Sequence, residues 1–445
     1  MYSKSFNLLV GKKIGFYKKK IETDSDKSIS IRSFLIGSIC QGVSSAKNIL
    51  ESDDVLSTIL CLKKLGVKIK KTKQKKYLIF GNGLGSLRIK KNDQLNFGNS
   101  GTLARLLIGI LSTTPGVIVK IKGDHSLNKR SMKKLINLMS KFGASFLPKN
   151  RFKFPLRLIS SNIPVGITYK AGVSAQLKSA VILAGLNSYG TTKIIETTKS
   201  RNHTENIIFK NKKVIRIEKK LINIFGKKDL SPININVPND PSSAAFFSAL
   251  TILNNHSSLN IKNVCLNKTR IGFYELLKRY GAKIKFKNLK KTNNELIGDI
   301  LVQSSILKPI VASKNYYTTM TDEYPILFVI AALTKGTSYF RGIDDLTNKE
   351  SNRILEMQKI LKQIKIKSVY VKGELKIFGK GMIDASNQKI QVPNLGDHRI
   401  CMSSFILAVL TGAKTKIMNF DTVFTSSPSF LKIMKNLGAR FEIQR

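Results

Sequence analysis

One pattern recurs six times along the 445 residues and restricts the chain to a fold assembled from copies of a single supersecondary unit. Each copy opens with polar residues, often Asp, Asn or Ser, followed by an apolar helical stretch, a turn of small residues and a β-branched strand. The openings are DKSISIRSFLIG from Asp26, NSGTLARLLIGIL from Asn99, SAQLKSAVILAG from Ser174, DPSSAAFFSALTI from Asp240, DEYPILFVIAALT from Asp322 and DHRICMSSFILAVL from Asp397. They stand about 66 to 82 residues apart, the size of one supersecondary unit.

A second helix type alternates with the first. It is amphipathic and Lys-rich, and CLKKLGVKI, LMSKFGASF, LLKRYGAKI and IMKNLGARF each carry a Gly where a left-handed C-cap fits. Strand-like runs such as Val67 to Ile69 and Ala282 to Phe286 follow, so each unit reads as βαβαββ. Six such units divide into two α/β domains of three. The least regular joint, Ile233 to Asp240, places the boundary: 26–236 forms one domain, and 1–25 with 237–445 the other. The strand-like start, Ser5 to Tyr17, precedes the first unit and is available to the second domain.

The first helix type is apolar nearly all round. After Thr102, for example, Leu103, Ala104, Leu106, Leu107, Ile108, Ile110 and Leu111 leave no polar face, which requires burial. The polar openings then sit at buried helix N-termini, where unpaired N–H groups and the helix dipole favour an anion.

Cations within these helices sharpen the point. Arg32 falls inside the arc of Ile31, Leu35 and Ile39, and a guanidinium buried there needs a carboxylate or a phosphate. Arg105, Lys178 and Arg399 also lie in apolar helices, and Arg130 opens an amphipathic one. Only 27 acidic residues are present to serve as internal partners. Asn99, Ser100, Gly101 and Thr102 form a Gly-containing helix entry that either caps the helix or brings backbone N–H groups close to an anion. Lys349 and Arg353 share a helix face at i, i+4 with Glu350 beside Arg353, a pattern that alone describes a solvated ion-pair helix. Asp322, ahead of an apolar helix, either caps it or serves as a general base.

Charge is less informative. The 76 Lys and Arg against 27 Asp and Glu give a net charge of +49, which concentrates anions of any kind: nucleic acid, acidic membrane or phosphorylated metabolites. The basic residues are spread along the chain rather than gathered in an arm, so compositional drift toward Lys explains them equally well. Cys40, Cys61, Cys265 and Cys401 lack the close spacing of metal or redox motifs and read as reduced core residues, and no metal-ligand spacing occurs. No apolar run reaches the roughly 20 residues that span a bilayer, and Phe6 to Val10 is too short for a signal segment. A soluble, cytoplasmic protein is expected.

In order and spacing, eleven segments resemble the 5-enolpyruvylshikimate-3-phosphate synthase family: DKSISIR, ESDDVL, GNSGTLARLL, GDHSLNKRSM, SAQLKSAVILAGL, SRNHTE, PNDPSSAAFF, DEYPIL, NKESNRI, GDHRICM and TSSPSF. The resemblance runs from about Lys12 to the C-terminus. It implies a two-domain inside-out α/β barrel, three βαβαββ units per domain around buried parallel helices, with the active site in the interdomain cleft. It implies transfer of the enolpyruvyl group of phosphoenolpyruvate to the 5-hydroxyl of shikimate 3-phosphate, with release of phosphate, no metal or cofactor, and a monomer without membrane or specific nucleic-acid partners. Residue by residue, it implies that Lys27 touches both substrates and that Ser28, Arg32, Ser174, Ala175, Gln176, Ser200, Asp322 and Lys349 bind shikimate 3-phosphate. Asn99, Gly101, Arg130, Gln176, Arg353 and Arg399 fall to phosphoenolpyruvate. Asp322 then resembles the base for the 5-hydroxyl and Glu350 the acid that protonates the methylene carbon, with Lys27 as a further catalytic group.

Three positions depart from the family pattern. Ile31 stands for a His, Asn352 for the Asp of KESDR, and Ser427 for the Phe of TSFP. The change at Asn352 is expected to deprive a neighbouring cation of its partner. Two other readings fit less well. The related UDP-N-acetylglucosamine enolpyruvyl transferases normally carry a Cys in the loop matching Gly123 to Arg130, which here has none. A nucleic-acid binder should interleave aromatics with a basic stripe, whereas Phe246, Phe247, Phe328 and Phe405 lie inside apolar helices, where they belong to a core.

Overall fold

A computed structural model describes residues 5–90 and 93–445. Its six buried helices are the six apolar stretches of the repeat: α1 (Lys27–Ile39), α2 (Gly101–Ser112), α3 (Ala175–Leu186), α4 (Pro241–Leu253), α5 (Tyr324–Ala332) and α6 (His398–Thr411). Five start from a side-chain cap: Asp26, Ser100, Ser174, Asp240 and Asp397 each accept a hydrogen bond from a backbone N–H of the first turn. The exception is α5, which begins with Tyr324 and Pro325 and has no side-chain cap bond. Proline needs none there, because its missing N–H is one that a first turn leaves unbonded.

The described strands form six four-stranded sheets of one design. A parallel pair flanks each buried helix, as in Thr168–Ala171 beside Thr191–Glu196, and an antiparallel hairpin extends the sheet. Two sheets borrow their leading strand. Lys18–Ile21 pairs in parallel with Ser258–Cys265, and Asn234–Asn236 with Gln41–Lys47. The strand Asn7–Val10 fills the last sheet, between Lys414–Ile417 and Phe441–Gln444. The outer helices end as their sequences predict: Gly66, Gly143, Gly281 and Gly438 all have positive φ.

The chain divides into two compact units. The first holds Ser25–Pro238 and Lys291–Glu295; the second holds the described residues up to Asp24, Asn239–Lys290 and Leu296–Arg445. Unlike the division read from the sequence, this one places Lys291–Glu295 apart from its chain neighbours. Within the first unit the buried His203 Nδ1 lies 2.7 Å from Glu295 Oε1, a contact that joins that short segment to the helix His203–Ile208.

In the first unit α1, α2 and α3 pack together, and in the second α4, α5 and α6 do the same. The approach of α2 to α3 is close enough to demand glycine: a Cβ on Gly109 would lie 2.6 Å from the Ala180 carbonyl oxygen. Each unit is thus a barrel with its sheets outside and its helices within. The aromatic residues assigned to the core are there, with Phe246, Phe247, Phe328 and Phe405 fully buried and Phe405 edge-on to Phe430 at 5.4 Å. All four cysteines are buried, and among the described residues none forms a disulfide. Burial raises the Cys40 thiol to about 11 and Cys61 to about 12, which leaves both protonated and unreactive at neutral pH. No helix among the described residues is long and apolar enough to cross a membrane.

Candidate active site

In the first unit, the residues singled out by sequence gather at the capped ends of three buried helices. Lys27, the first residue of α1, places Nζ 2.9 Å from Asp54 Oδ2, so the ESDDVL segment supplies its counterion. Ser28 follows, and its carbonyl accepts from Arg32 Nη1 at 3.0 Å. The buried Arg32 guanidinium is aimed by hydroxyls: Nε donates to Thr204 Oγ1 at 2.8 Å and Nη2 to Ser179 Oγ at 3.0 Å. Thr204 in turn bonds Ser179, which fixes the fork.

The entry to α2 is both a cap and a cation site. Ser100 Oγ accepts from Leu103 N, as the capping alternative requires. Gly101 then leaves room for two guanidiniums: a Cβ there would meet Arg105 Nη1 at 2.7 Å and Arg130 Nη1 at 3.1 Å. Arg130 Nη2 donates to Asn99 Oδ1 at 2.6 Å, and Arg105 Nη1 to Gln176 Oε1 at 2.9 Å. Gln176 Nε2 donates to Thr102 Oγ1 at 3.0 Å, tying the start of α3 to the start of α2. Two like charges beside one glycine repel each other unless an anion joins them. The sequence shows Arg105 only as a cation within an apolar helix; its place beside Gly101 and Gln176 puts it in this cluster.

Ser174 caps α3 on Leu177 N at 3.4 Å, and Ala175 is the first residue of that helix. Ser200 is buried, and among the described residues its Oγ has no hydrogen-bond partner. Lys178 is a different case. It is 0% exposed, yet Nζ lies 2.7 Å from Glu196 Oε1 and 2.6 Å from Glu205 Oε1. Burial alone would depress its pKa, but Glu205 and Glu196 outweigh burial and hold it above the ordinary lysine value. Lys178 is therefore an internal ion pair, not part of an anion site. Glu205 belongs to the SRNHTE segment.

In the second unit, a guanidinium is surrounded by carboxylates. Arg353 is buried, with Nε 2.9 Å from Asp397 Oδ2, Nη2 2.7 Å from Glu350 Oε2 and Nη1 3.6 Å from Asp322 Oδ1. Burial works against its charge, but Asp397 and Glu350 prevail and raise its pKa above the ordinary arginine value. Two sequence readings change here. The helix starts only at Arg353, after a 3-10 turn over Asp344–Asn348, so Lys349 and Glu350 do not share a solvated helix face with Arg353. Lys349 turns instead to Asp345, 2.5 Å away. Asn352 costs Arg353 no partner, because three carboxylates serve it and Asn352 caps the helix, accepting from Leu355 N at 3.1 Å. The N-cap position of α5 is Glu323, one residue after Asp322, and Asp322 faces Arg353.

Arg399, in the first turn of α6, has its guanidinium carbon 5.8 Å over the Phe246 ring. It is 5% exposed, and Nε and Nη1 are buried without a hydrogen-bond partner among the described residues. Leaving such donors unpaired is costly, so the position suits a group that brings its own acceptor oxygens. Ser427, the departure from TSFP, is accounted for as well. Its hydroxyl donates to Asp24 Oδ2 at 2.8 Å, and Ser429 adds its N–H at 3.1 Å and its Oγ at 2.7 Å to the same oxygen.

Capped buried helices that present guanidiniums and lysines in the first unit, and three carboxylates around Arg353 in the second, are the equipment of an enzyme acting on anionic substrates. The family model for EPSP synthase (3-phosphoshikimate 1-carboxyvinyltransferase) matches residues 12–434. The chain belongs to this family. It is 37% identical over 436 residues to the 3-phosphoshikimate 1-carboxyvinyltransferase of Thermodesulfovibrio yellowstonii, covering 96% of this chain and 98% of the relative. Against the enzyme of that name from Paramagnetospirillum magneticum it is 35% identical over 421 residues, 93% and 94% of the two chains. Among solved structures, EPSP synthase from Acinetobacter baumannii superposes with a TM-score of 0.85 at 31% identity, covering 99% of this chain and 100% of that one. The enolpyruvyl transferase NikO from Streptomyces tendae shares the fold, with a TM-score of 0.76 at 12% identity and 99% of both chains covered.

Proposed function

We infer that the chain transfers the enolpyruvyl group of phosphoenolpyruvate to the 5-hydroxyl of shikimate 3-phosphate, releasing phosphate on the route to chorismate and the aromatic amino acids. The observation that carries the assignment of its site is Arg399, a desolvated guanidinium at the start of a buried helix with two donors that meet no partner among the described residues. The domains divide near residues 25 and 237, and the reaction calls on groups of both.

In this reading Ser28, Arg32, Ser174, Ala175, Gln176 and Ser200 bind shikimate 3-phosphate, and Lys349 orients its hydroxyls. Asn99, Gly101, Arg130, Gln176, Arg353 and Arg399 bind phosphoenolpyruvate, with Lys27 shared and Arg105 added from its place at Gly101. Asp322 takes the 5-hydroxyl proton as the oxygen attacks C2 of phosphoenolpyruvate, while Glu350 protonates the methylene carbon. The carboxylate left on Glu350 faces Arg353 at 2.7 Å. In the tetrahedral adduct the bond from C2 to the phosphate oxygen then breaks. The methyl group returns a proton, which restores the double bond. Lys27, Arg130, Arg353 and Arg399 hold the charge that develops on carboxylate and phosphate.

The test is phosphate release from the purified protein with both substrates, alongside Lys27→Ala and Asp322→Ala. Release that requires both substrates and disappears in the two variants is expected. Release that proceeds with phosphoenolpyruvate alone, or survives Asp322→Ala undiminished, would overturn the assignment.

A further inference from the structure

We propose that Tyr317 is a positioning residue for Lys349, acting through Asp345, so that a buried phenol fixes the ammonium that orients the acceptor. The inference rests on the reading of Lys349 as the group that meets the acceptor hydroxyls. An ammonium on four methylenes is a poor orienting group unless something restrains it, and a surface ion pair restrains it little. The Lys349 partner, Asp345, has a side chain 49% exposed, so the 2.5 Å pair alone would be weak.

The second bond to Asp345 changes this. The same oxygen, Oδ2, accepts from Tyr317 Oη at 2.7 Å, and Tyr317 is only 4% exposed. Its ring stacks on Tyr324 with centroids 5.9 Å apart at 29°, and Tyr324 packs in turn on Phe328 and Phe340 in the second unit's core. The phenol therefore has little freedom, and it passes this restraint to the Asp345 carboxylate. The ring does so a second time, because Lys349 Nζ lies 5.8 Å over its face. One aromatic residue thus holds the ammonium both through its hydroxyl and through its π-face.

Burial, then Asp345 and more weakly Asp322, push the Tyr317 phenol upward, so it stays a donor throughout the pH range of a folded enzyme. The position in the chain fits the role. Tyr317 opens the short helix Tyr317–Met320, five residues before Asp322. The segment that presents the base therefore also anchors the lysine.

The experiment is a double-mutant cycle on the full-length enzyme with steady-state kinetics for both substrates: Tyr317→Phe, Lys349→Ala and the pair. Tyr317→Phe is expected to raise KM for shikimate 3-phosphate about tenfold, with KM for phosphoenolpyruvate unchanged, and to add nothing in the Lys349→Ala background. Asp345→Asn, which keeps the aromatic packing intact, should produce the same rise; it carries the test if Tyr317→Phe folds poorly. A Tyr317→Phe effect that is equal in both backgrounds, or that falls on both substrates alike, would mark Tyr317 as ordinary core and overturn the proposal. If Lys349→Ala leaves KM for shikimate 3-phosphate unchanged, the reading of Lys349 itself fails and the proposal falls with it.

Discussion

Lys178 and Arg399 occupy comparable places, one in each unit. Both lie in the first two turns of a buried apolar helix, and in the sequence both pose the same problem of a cation without a counterion. Their solutions are opposite. Lys178 is closed from within by Glu196 and Glu205, whereas Arg399 has a ring beneath it and two buried donors that no described residue meets. The first arrangement is complete in the folded chain, and in the proposed reading the second is completed by a bound anion. A buried cation in a repeat is thus not itself a site; what decides is whether the fold brings a carboxylate to it.

This contrast can be tested by removing each cation. Lys178→Ala strands two buried carboxylates and should cost about 3–5 kcal/mol of stability, read as a fall in the denaturation midpoint. The activity of the protein that remains folded should be close to normal. Arg399→Ala should do the reverse. We expect kcat/KM for phosphoenolpyruvate to drop by about 10²–10³, with stability no lower than before, because a desolvated guanidinium has been removed. If Arg399→Ala unfolds the protein, or Lys178→Ala abolishes turnover in folded material, the distinction collapses.

Smaller perturbations sharpen the comparison. Gly101→Ala places a methyl group 2.7 Å from Arg105 Nη1 and 3.1 Å from Arg130 Nη1, so these guanidiniums must move. KM for phosphoenolpyruvate should rise by roughly tenfold with little loss of stability, since guanidinium tips are flexible. The smallest effect is expected from pH. Lys178 has its pKa raised in the folded state by its carboxylates. Its stabilisation is therefore fully present below the unfolded lysine value of about 10.4 and fades as pH climbs through the folded one. Denaturation midpoints measured from about pH 10 upward should fall more steeply for the native chain than for Lys178→Met.

Periodicity made most of the architecture legible. Six helices apolar all round could only be buried, and four glycines at the ends of wet helices could only be left-handed caps. The exchange of leading strands was not legible, because Lys18–Ile21 and Asn234–Asn236 have ordinary strand sequences and nothing local records which sheet they join. The same limit explains the site. Sequence exposed the cations, since a charge breaks an apolar pattern, but it could not show that Glu205 curls back onto Lys178 or that Asp397 both caps α6 and grips Arg353. Asn352 read as a lost charge because its helix start lay hidden: only when Arg353 proves to be the first helical residue does Asn352 become a cap.

Ser427 and Asp24 stand 403 residues apart, yet three hydrogen bonds around one carboxylate oxygen make them and Ser429 a single unit of inheritance. Phe at 427 alone would drive a ring against a buried carboxylate and remove one of its donors. A change at 24 alone would orphan two serine hydroxyls. A substitution at either position is therefore felt at the other. A chimaera that joins this chain's start to a relative's end would separate them, and would lose stability at a junction where neither parent has a fault.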